Sequence, residues 1–416
     1  MTTRHFLMLC KTRTDLADLE PLRAALLARF HEVTFIVEAG GSLTNKDLVP
    51  AYAHIANSAE EITSRFKQGN IPEVVISPCP KGGMQLLPQL QEHIKHFVIL
   101  SDARKVSYTK VMQSLEHSCV ALLCIDERVV RNNHLSYKVG LPRLDSAVRL
   151  TMEECTARRR ALRSPSETRI NVDDFVVLFV AQQSEAARPL QDVTTALRSI
   201  HVVTPDDPIR RVLAILPHPR MNERELVLWT DVLSLQSVAT HGVAVLQDIT
   251  TLHRDILKEE QRRVSKETAY GGAARKPANP HLLNATIVDA VLAADLVISS
   301  TSSVLLLAAA LGKKALSYYA PGCGMTAFTQ EVDSPFLLWN FFPEDDCIRI
   351  AKNYNELRDA IASAIPRRKA DQSVVHQIWP EETLGRNRNK MHWAQGENTN
   401  DCVLAIEDAA DRWFSQ

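Results

Sequence analysis

Short, uninterrupted apolar runs recur along the chain, and stretches with helical spacing separate them. In the first half the runs lie at residues 6–10, 33–37, 73–77, 97–101 and 120–124. They are dense in Val, Ile and Leu and lack polar alternation, as strands covered on both faces require. Leu19, Leu22, Leu26 and Phe30 mark one face of a predicted helix, with Pro21 near its first turn. Residues 51–66 carry a second helical pattern. The alternation predicts βαβ units and a parallel sheet.

The pattern pauses at residues 151–174, which are polar and basic and read as an inter-domain connection. It then restarts, with predicted strands at 175–180, 212–216, 243–246, 296–299 and 315–318 and helices at 188–200, 223–235, 285–294 and 303–311. Residues 258–280 read as an exposed loop, 322–343 as irregular, and 401–414 as an amphipathic helix with Val403, Ile406, Ala410 and Trp413 on one face. The expected organisation is three segments: an acceptor-side Rossmann-like domain over 1–160, a nucleotide-binding Rossmann-like domain over 161–365, and a tail over 366–416 that packs back on the body.

A chain of 416 residues is too long for one ordinary core and suits two domains. An apolar fraction of 45% with 23% charged residues is that of a globular protein. The formal net charge of −1 argues against a general nucleic-acid binder. The eight cysteines show no Cys-x-x-Cys or zinc spacing, which fits free thiols in a reducing compartment. The longest apolar run, 304–311, is far short of the ~20 residues that span a bilayer, so a cytoplasmic location is expected. The basic runs 158–160 and 367–369 could touch acidic lipids, although solvated faces are their simpler reading.

Two constellations suggest phosphate chemistry. Ser299, Ser300, Thr301, Ser302 and Ser303 lie between a buried strand and a helix closed by Gly312. Hydroxyls there cap the helix, and its first amides, with the helix dipole, attract an anion. One hydroxyl suffices for a cap; five exceed that need. His218 follows another strand within Pro217-His218-Pro219-Arg220. The prolines fix its backbone, and its ring and Arg220 can both donate to phosphate oxygens.

These segments resemble the C-terminal domain of GT-B-fold glycosyltransferases, most of all the bacterial sialyltransferases and Kdo transferases with an HP motif and a serine-rich motif. More distantly they are similar to glycerophosphotransferases of teichoic-acid synthesis. Gly140-Leu-Pro-Arg-Leu-Asp145 looks like the G-x-P-x-x-D segment that ends many GT-B N-terminal domains. The resemblance implies an α/β fold of two Rossmann-like domains whose parallel sheets face across a cleft. It also implies a CMP- or UDP-linked sugar donor, no separate cofactor and no metal. It puts His218, Pro219, Arg220, Gln182, Gln183 and Ser299 to Ser303 at the donor. Where many GT-B enzymes carry a ribose-holding glutamate, five residues before the glycine, this chain has Leu307.

An inverting transfer needs a general base near the acceptor hydroxyl. Glu38, Asp102 and Asp126 each stand at or just beyond a predicted strand end and are the candidates, although such acids are more often caps or solvated. Glu38 is favoured by the glycine pair Gly40-Gly41, which lets a ligand approach the backbone. Lys81, in the glycine turn 79–83, is a candidate contact for an acceptor anion. The leading expectation is therefore a glycosyltransferase acting on a glycan, lipid-linked or protein acceptor. A sugar-nucleotide 2-epimerase and a non-catalytic nucleotide-binding relative are the alternatives.

Overall fold

A computed structural model describes residues 2–40, 43, 49–66, 70–78, 86–101, 115, 117–124, 135–163, 170, 174–181, 187–200, 211–216, 242–247, 281–284, 286–300, 302–318, 348–365 and 395–415. The chain divides into two units, one formed by 1–149 with 391–416 and the other by 150–390.

The first unit holds strands β1 (His5–Cys10), β2 (Glu32–Glu38), β3 (His54–Ala56), β4 (Val74–Pro78), β5 (His96–Ser101), β6 (Cys119–Cys124) and β7 (Leu135–Lys138). They form one sheet in the order β3-β2-β1-β4-β5-β6-β7, parallel throughout. Its helices are α1 (Arg13–Ala28), α2 (Ala59–Thr63), α3 (Leu86–Leu90), α4 (Asp145–Val148) and the distant α10 (Asn398–Phe414).

The second unit holds β8 (Phe175–Val180), β9 (Arg211–Leu216), β10 (Gly242–Gln247), β11 (His281–Asn284), β12 (Leu296–Ser299), β13 (Lys314–Tyr318) and β14 (Ile348–Ala351). Their order is β11-β10-β9-β8-β12-β13-β14, again all parallel. The helices are α5 (Met152–Leu162), α6 (Ala187–Ser199), α7 (Ile287–Ala293), α8 (Val304–Ala310) and α9 (Tyr354–Ala364). In each sheet the strand order reverses once, at the β1/β4 neighbour pair and at β8/β12. Among the described residues no helix is long and apolar enough to cross a membrane.

Several expectations change. Thr12 accepts from Asp15 N while Asp15 bonds back to Thr12 N, a capping box that starts α1 well before Pro21. Pro21 therefore lies in the helix interior rather than its first turn. Phe30 leaves the apolar face: it occupies the left-handed residue that ends α1, with φ 66° and 83% exposure. Phe30 N bonds to Leu27 O and His31 N to Leu26 O, the pairing that usually recruits glycine. At α8 the same pairing does use glycine, Gly312 at φ 68°.

Residues 51–66 do not form one helix. Residues 54–56 pair with β2, and Ser58 then caps the short α2. The helix α5 stands in the stretch read as an inter-domain connection; it belongs to the second unit, and the division falls at 149–150 rather than 160. The reason is an ion cluster under the second sheet. Arg159 and Arg163 both pair with Asp295 at 2.6 Å, and Asp295 also accepts from Val176 N. Arg159, Arg163 and Lys313 donate to the carbonyls of Leu292, Ala293 and Ala294 that end α7, where cations are favoured. Burial pushes the Asp295 carboxyl up, but Arg163 and Arg159 outweigh it and hold the group below its ordinary value. Within 158–160, Arg158 pairs with Asp289 of α7, Arg159 with Asp295, and Arg160 is exposed.

The amphipathic C-terminal helix begins at 398, and Cys402, Val403, Ile406, Ala409 and Ala410 enter the core of the first sheet. Its own N-cap residue, Glu397, supplies no side-chain hydrogen bond. Asp145 takes that role from far away, accepting from Asn398 N at 3.0 Å and Thr399 N at 2.7 Å. Around it, Asn398 donates to Leu141 O, Arg149 to Gly396 O, and Arg143 pairs with Asp18 of α1. The segment 140–145 thus straps α10 and α1 together. At the other end of α10, Tyr137 donates to Asp408 and Arg4 pairs with Asp411.

Replacing Asp145 with Ala should weaken the docking of α10 by about 1.5–3 kcal/mol, the range for a hydrogen bond to a charged group. Amide hydrogen exchange along α10 checks this; unchanged exchange would mean that the cap contributes nothing. Burial, followed by the charge of Arg159, also depresses Lys313 to about 8 from an ordinary value of 10.5. Below pH 8 both folded and unfolded states hold this proton. Between roughly 8 and 10.5 only the unfolded state does, so the lysine's contribution to stability rises with pH. The unfolding free energy of the wild-type protein, relative to Lys313→Met, should therefore increase from pH 7.5 to 10.

Candidate functional site

In an open parallel sheet, ligands bind outside the carboxyl ends of the strands where the order reverses. In the second unit that place is β8, flanked by β9 and β12. Val180 pairs with Leu216, Phe179 pairs with Ile215 on one side and Ile298 on the other, and Ala181 N continues the ladder to Leu216 O at 3.0 Å. Leu216 and Ser299 thus end on either side of Val180, two strand spacings or about 10 Å apart. His218 follows Leu216 by two residues, so its strand and the hydroxyl turn end at one sheet edge.

The hydroxyls of the turn divide their work. Ser299 is buried and its Oγ donates to Val180 O at 2.8 Å, tying β12 to β8. In this structure that hydroxyl serves as a strand tie. From the other side Ser317 Oγ donates to Ser300 O at 2.6 Å. The Ser302 Oγ accepts from Val304 N at 3.2 Å and caps α8. Ser303 makes no side-chain cap and is half-buried, as is Ser300. The turn is therefore anchored on both flanks, and the first amides of the short α8 are partly taken by the chain itself. Leu307 faces the core. Nearby, Tyr318 at the end of β13 donates to Asp192 of α6 at 2.6 Å.

Thr301, Gln182, Gln183, His218, Pro219 and Arg220 lie outside the described residues, as do Asp102, Asp126 and Lys81. So do the helix expected at 223–235, the loop 258–280, the segment 322–343 and the basic run 367–369. Strands β5 and β6 end at Ser101 and Cys124, at the carboxyl edge of the first sheet.

Glu38 closes β2 at that edge and is not a solvated acid. Its Oε1 meets Lys11 Nζ at 2.7 Å, and its Oε2 accepts from Leu86 N, the first amide of α3, at 3.4 Å. Only 5% of its side chain is exposed, against 20% for Lys11. Lys11 directly follows β1, and the pairing of Cys10 with Val37 brings it level with Glu38. The pair bridges the ends of the neighbouring strands β1 and β2. Sequence reasoning missed Lys11. Its signal was a cation placed directly after a fully apolar strand. Among the described residues no group of three or more His, Cys, Asp or Glu is placed to hold a metal ion.

No protein-family model matches the chain, and no curated protein sequence does. Solved structures do. The wall teichoic acid polymerase TagF, soaked with CDPG, superposes with a TM-score of 0.52 at 12% identity, over 99% of this chain and 91% of that one. A UDP-N-acetylglucosamine 2-epimerase superposes with a TM-score of 0.51 at 10% identity, over 100% of this chain and 98% of that one. Both are GT-B-fold proteins, and at such identity the likeness establishes the fold.

Ser299→Ala should lose roughly 0.5–1.5 kcal/mol of stability, because a buried strand tie disappears. Ser303→Ala should stay within about 0.5 kcal/mol of the wild-type protein. Urea unfolding of the two variants tests this division of labour; equal effects would refute it.

Proposed function

We propose that the protein is a GT-B-type glycosyltransferase that moves a sugar from a CMP- or UDP-linked donor to an acceptor hydroxyl, in glycan or glycoconjugate synthesis. One observation carries the reading. The strand leading to His218 and the hydroxyl turn end on the two sides of β8, at the switch point where this class of sheet takes its ligands. The hydroxyls not spent on the fold, with His218 and Arg220, would receive the donor phosphate. Their charge and hydrogen bonds would stabilise it as it leaves. Gln182 and Gln183 follow β8 and would border the same ligand. The acceptor proton would pass to a carboxylate at the first sheet's edge, with Glu38, Asp102 and Asp126 as candidates.

A sugar-nucleotide 2-epimerase is the second reading, because a 2-epimerase matches the chain with nearly the same TM-score. The two differ in outcome: a transferase joins the sugar to an acceptor or to water, and an epimerase returns a changed sugar still on its nucleotide.

CMP, CDP or UDP should raise the melting temperature of the wild-type protein, since a ligand that binds only the folded state stabilises it. His218→Ala should lose about 1.5–3 kcal/mol of that binding. Isothermal titration checks both. Unchanged affinity in a folded His218→Ala protein would remove the histidine from the site, and no response to any nucleotide would remove the function.

A further inference from the structure

The end of α10 meets two histidines at the amino edge of the first sheet. His31 directly precedes β2 and is almost fully buried. Its Nδ1 accepts from Arg4 N at 3.3 Å, so the proton lies on Nε2, which donates to Glu407 at 3.0 Å. The Glu407 carboxylate remains a partner for that ring in either charge state. His96, the first residue of β5, is held differently. Its ring stacks on Trp413, with centroids 5.1 Å apart and 28° between the planes, and leans on Phe414 at 4.6 Å. Its Nδ1 donates to Glu73 O at 3.3 Å. Trp413 in turn packs against the core of the first unit. The contact that fixes the last turn of α10 is thus an imidazole against two aromatic rings.

The charges around this ring oppose a proton on it. The Arg4 guanidinium lies over the same Phe414 ring, 4.6 Å from its centre, and pairs with Asp411 at 2.7 Å. Arg412 and Asp408 of α10 pair with each other, and Lys95 Nζ donates to Gln91 O. On the neighbouring strands His96 lies level with Val74 and Cys119. Burial is the largest effect and holds His96 below its ordinary value; the Arg4 charge adds to it, and the carbonyl and carboxylate of Glu73 oppose it without prevailing. We propose that His96 is a pH-operated fastener for the last turn of α10, holding Trp413 and Phe414 at the sheet edge while neutral and letting that turn lift away once protonated. The sign follows from linkage: the released turn leaves a histidine that binds the proton better, so acid favours release. Asp145 keeps its hold on the start of the helix. Release bares the part of the first core that Trp413 covers, and it does so independently of the transferase reading.

Amide hydrogen exchange of the full-length protein at pH 7.5 and 5.5, corrected for the intrinsic rate, provides the test. Protection over residues 408–414 should fall roughly three- to tenfold in acid; about tenfold is the ceiling for one proton at one unit below the ordinary histidine value of 6.5. Residues 399–403, next to Asp145, should change by less than about twofold, because their anchor does not titrate in this range. His96→Phe keeps an aromatic stack without a proton site and should stay protected at both pH values. His96→Gln keeps a donor for Glu73 O and should show equal protection at both, which covers the case of a phenylalanine variant that does not fold. An indole face attracts cations, so tighter docking of the wild-type helix end in acid is the opposite outcome. That result, protection independent of pH, an equal loosening of residues 399–403, or undiminished pH dependence in either variant would each overturn the proposal.

Discussion

A helix start leaves amides without partners, and in this chain the start of α10 is completed by a carboxylate 253 residues earlier. Asp145 supplies what Glu397 does not. That contact orients the last helix so that Val403, Ile406 and Ala410 reach the core under β5 and β6. The same short segment pins α1 through Arg143 and Asp18. Without it, one face of the first sheet would lose its cover. The G-x-P-x-x-D pattern therefore has a mechanical reading here: the proline opens a 3-10 turn, and the aspartate closes a distant helix. In the second unit Asp295 plays a comparable part, drawing Arg159 and Arg163 of one helix onto the carbonyls that end another.

Ten of the fourteen strands among the described residues could be read from apolar runs alone, and the four that could not share one property. β3, β7, β11 and β14 are the outer strands of the two sheets. An outer strand has a neighbour on one side only and needs less apolar surface. β7, for example, alternates partly buried and exposed residues, and β14 reads Ile-Arg-Ile-Ala. The helix α5 was read as a linker because its apolar content is low. Its docking is ionic, and a hydrophobic pattern does not report that. The location of Pro21 was misjudged for a related reason: the Thr12–Asp15 capping box, two polar residues, outranks a proline as a start signal.

The run of hydroxyls read from the sequence follows β12 at the carboxyl edge of the second sheet, but composition could not say which hydroxyl does what. Ser299 and Ser302 serve the fold, one by tying two strands and the other by capping α8, and only neighbouring backbone geometry reveals this. Glu38 was found by its position at a strand end, whereas its partner was not. An ion pair between adjacent parallel strands is set by register, and register is not written in either strand alone.

The first unit is assembled from both termini of the described chain, with the whole second unit emerging between them. Vectorial synthesis therefore delivers the pieces out of order. When the ribosome has made residues 1–149, the sheet exists as sequence but lacks the helix that covers β5 and β6. The second unit can fold while the first waits with apolar surface uncovered, and closure of the first must span a loop of some 240 residues. The entropy of that closure grows only logarithmically with length, so the nesting is thermodynamically mild. The burden of such nesting is kinetic: until residues 391–416 are made, apolar surface of the first unit stays uncovered, and exposed apolar surface favours aggregation.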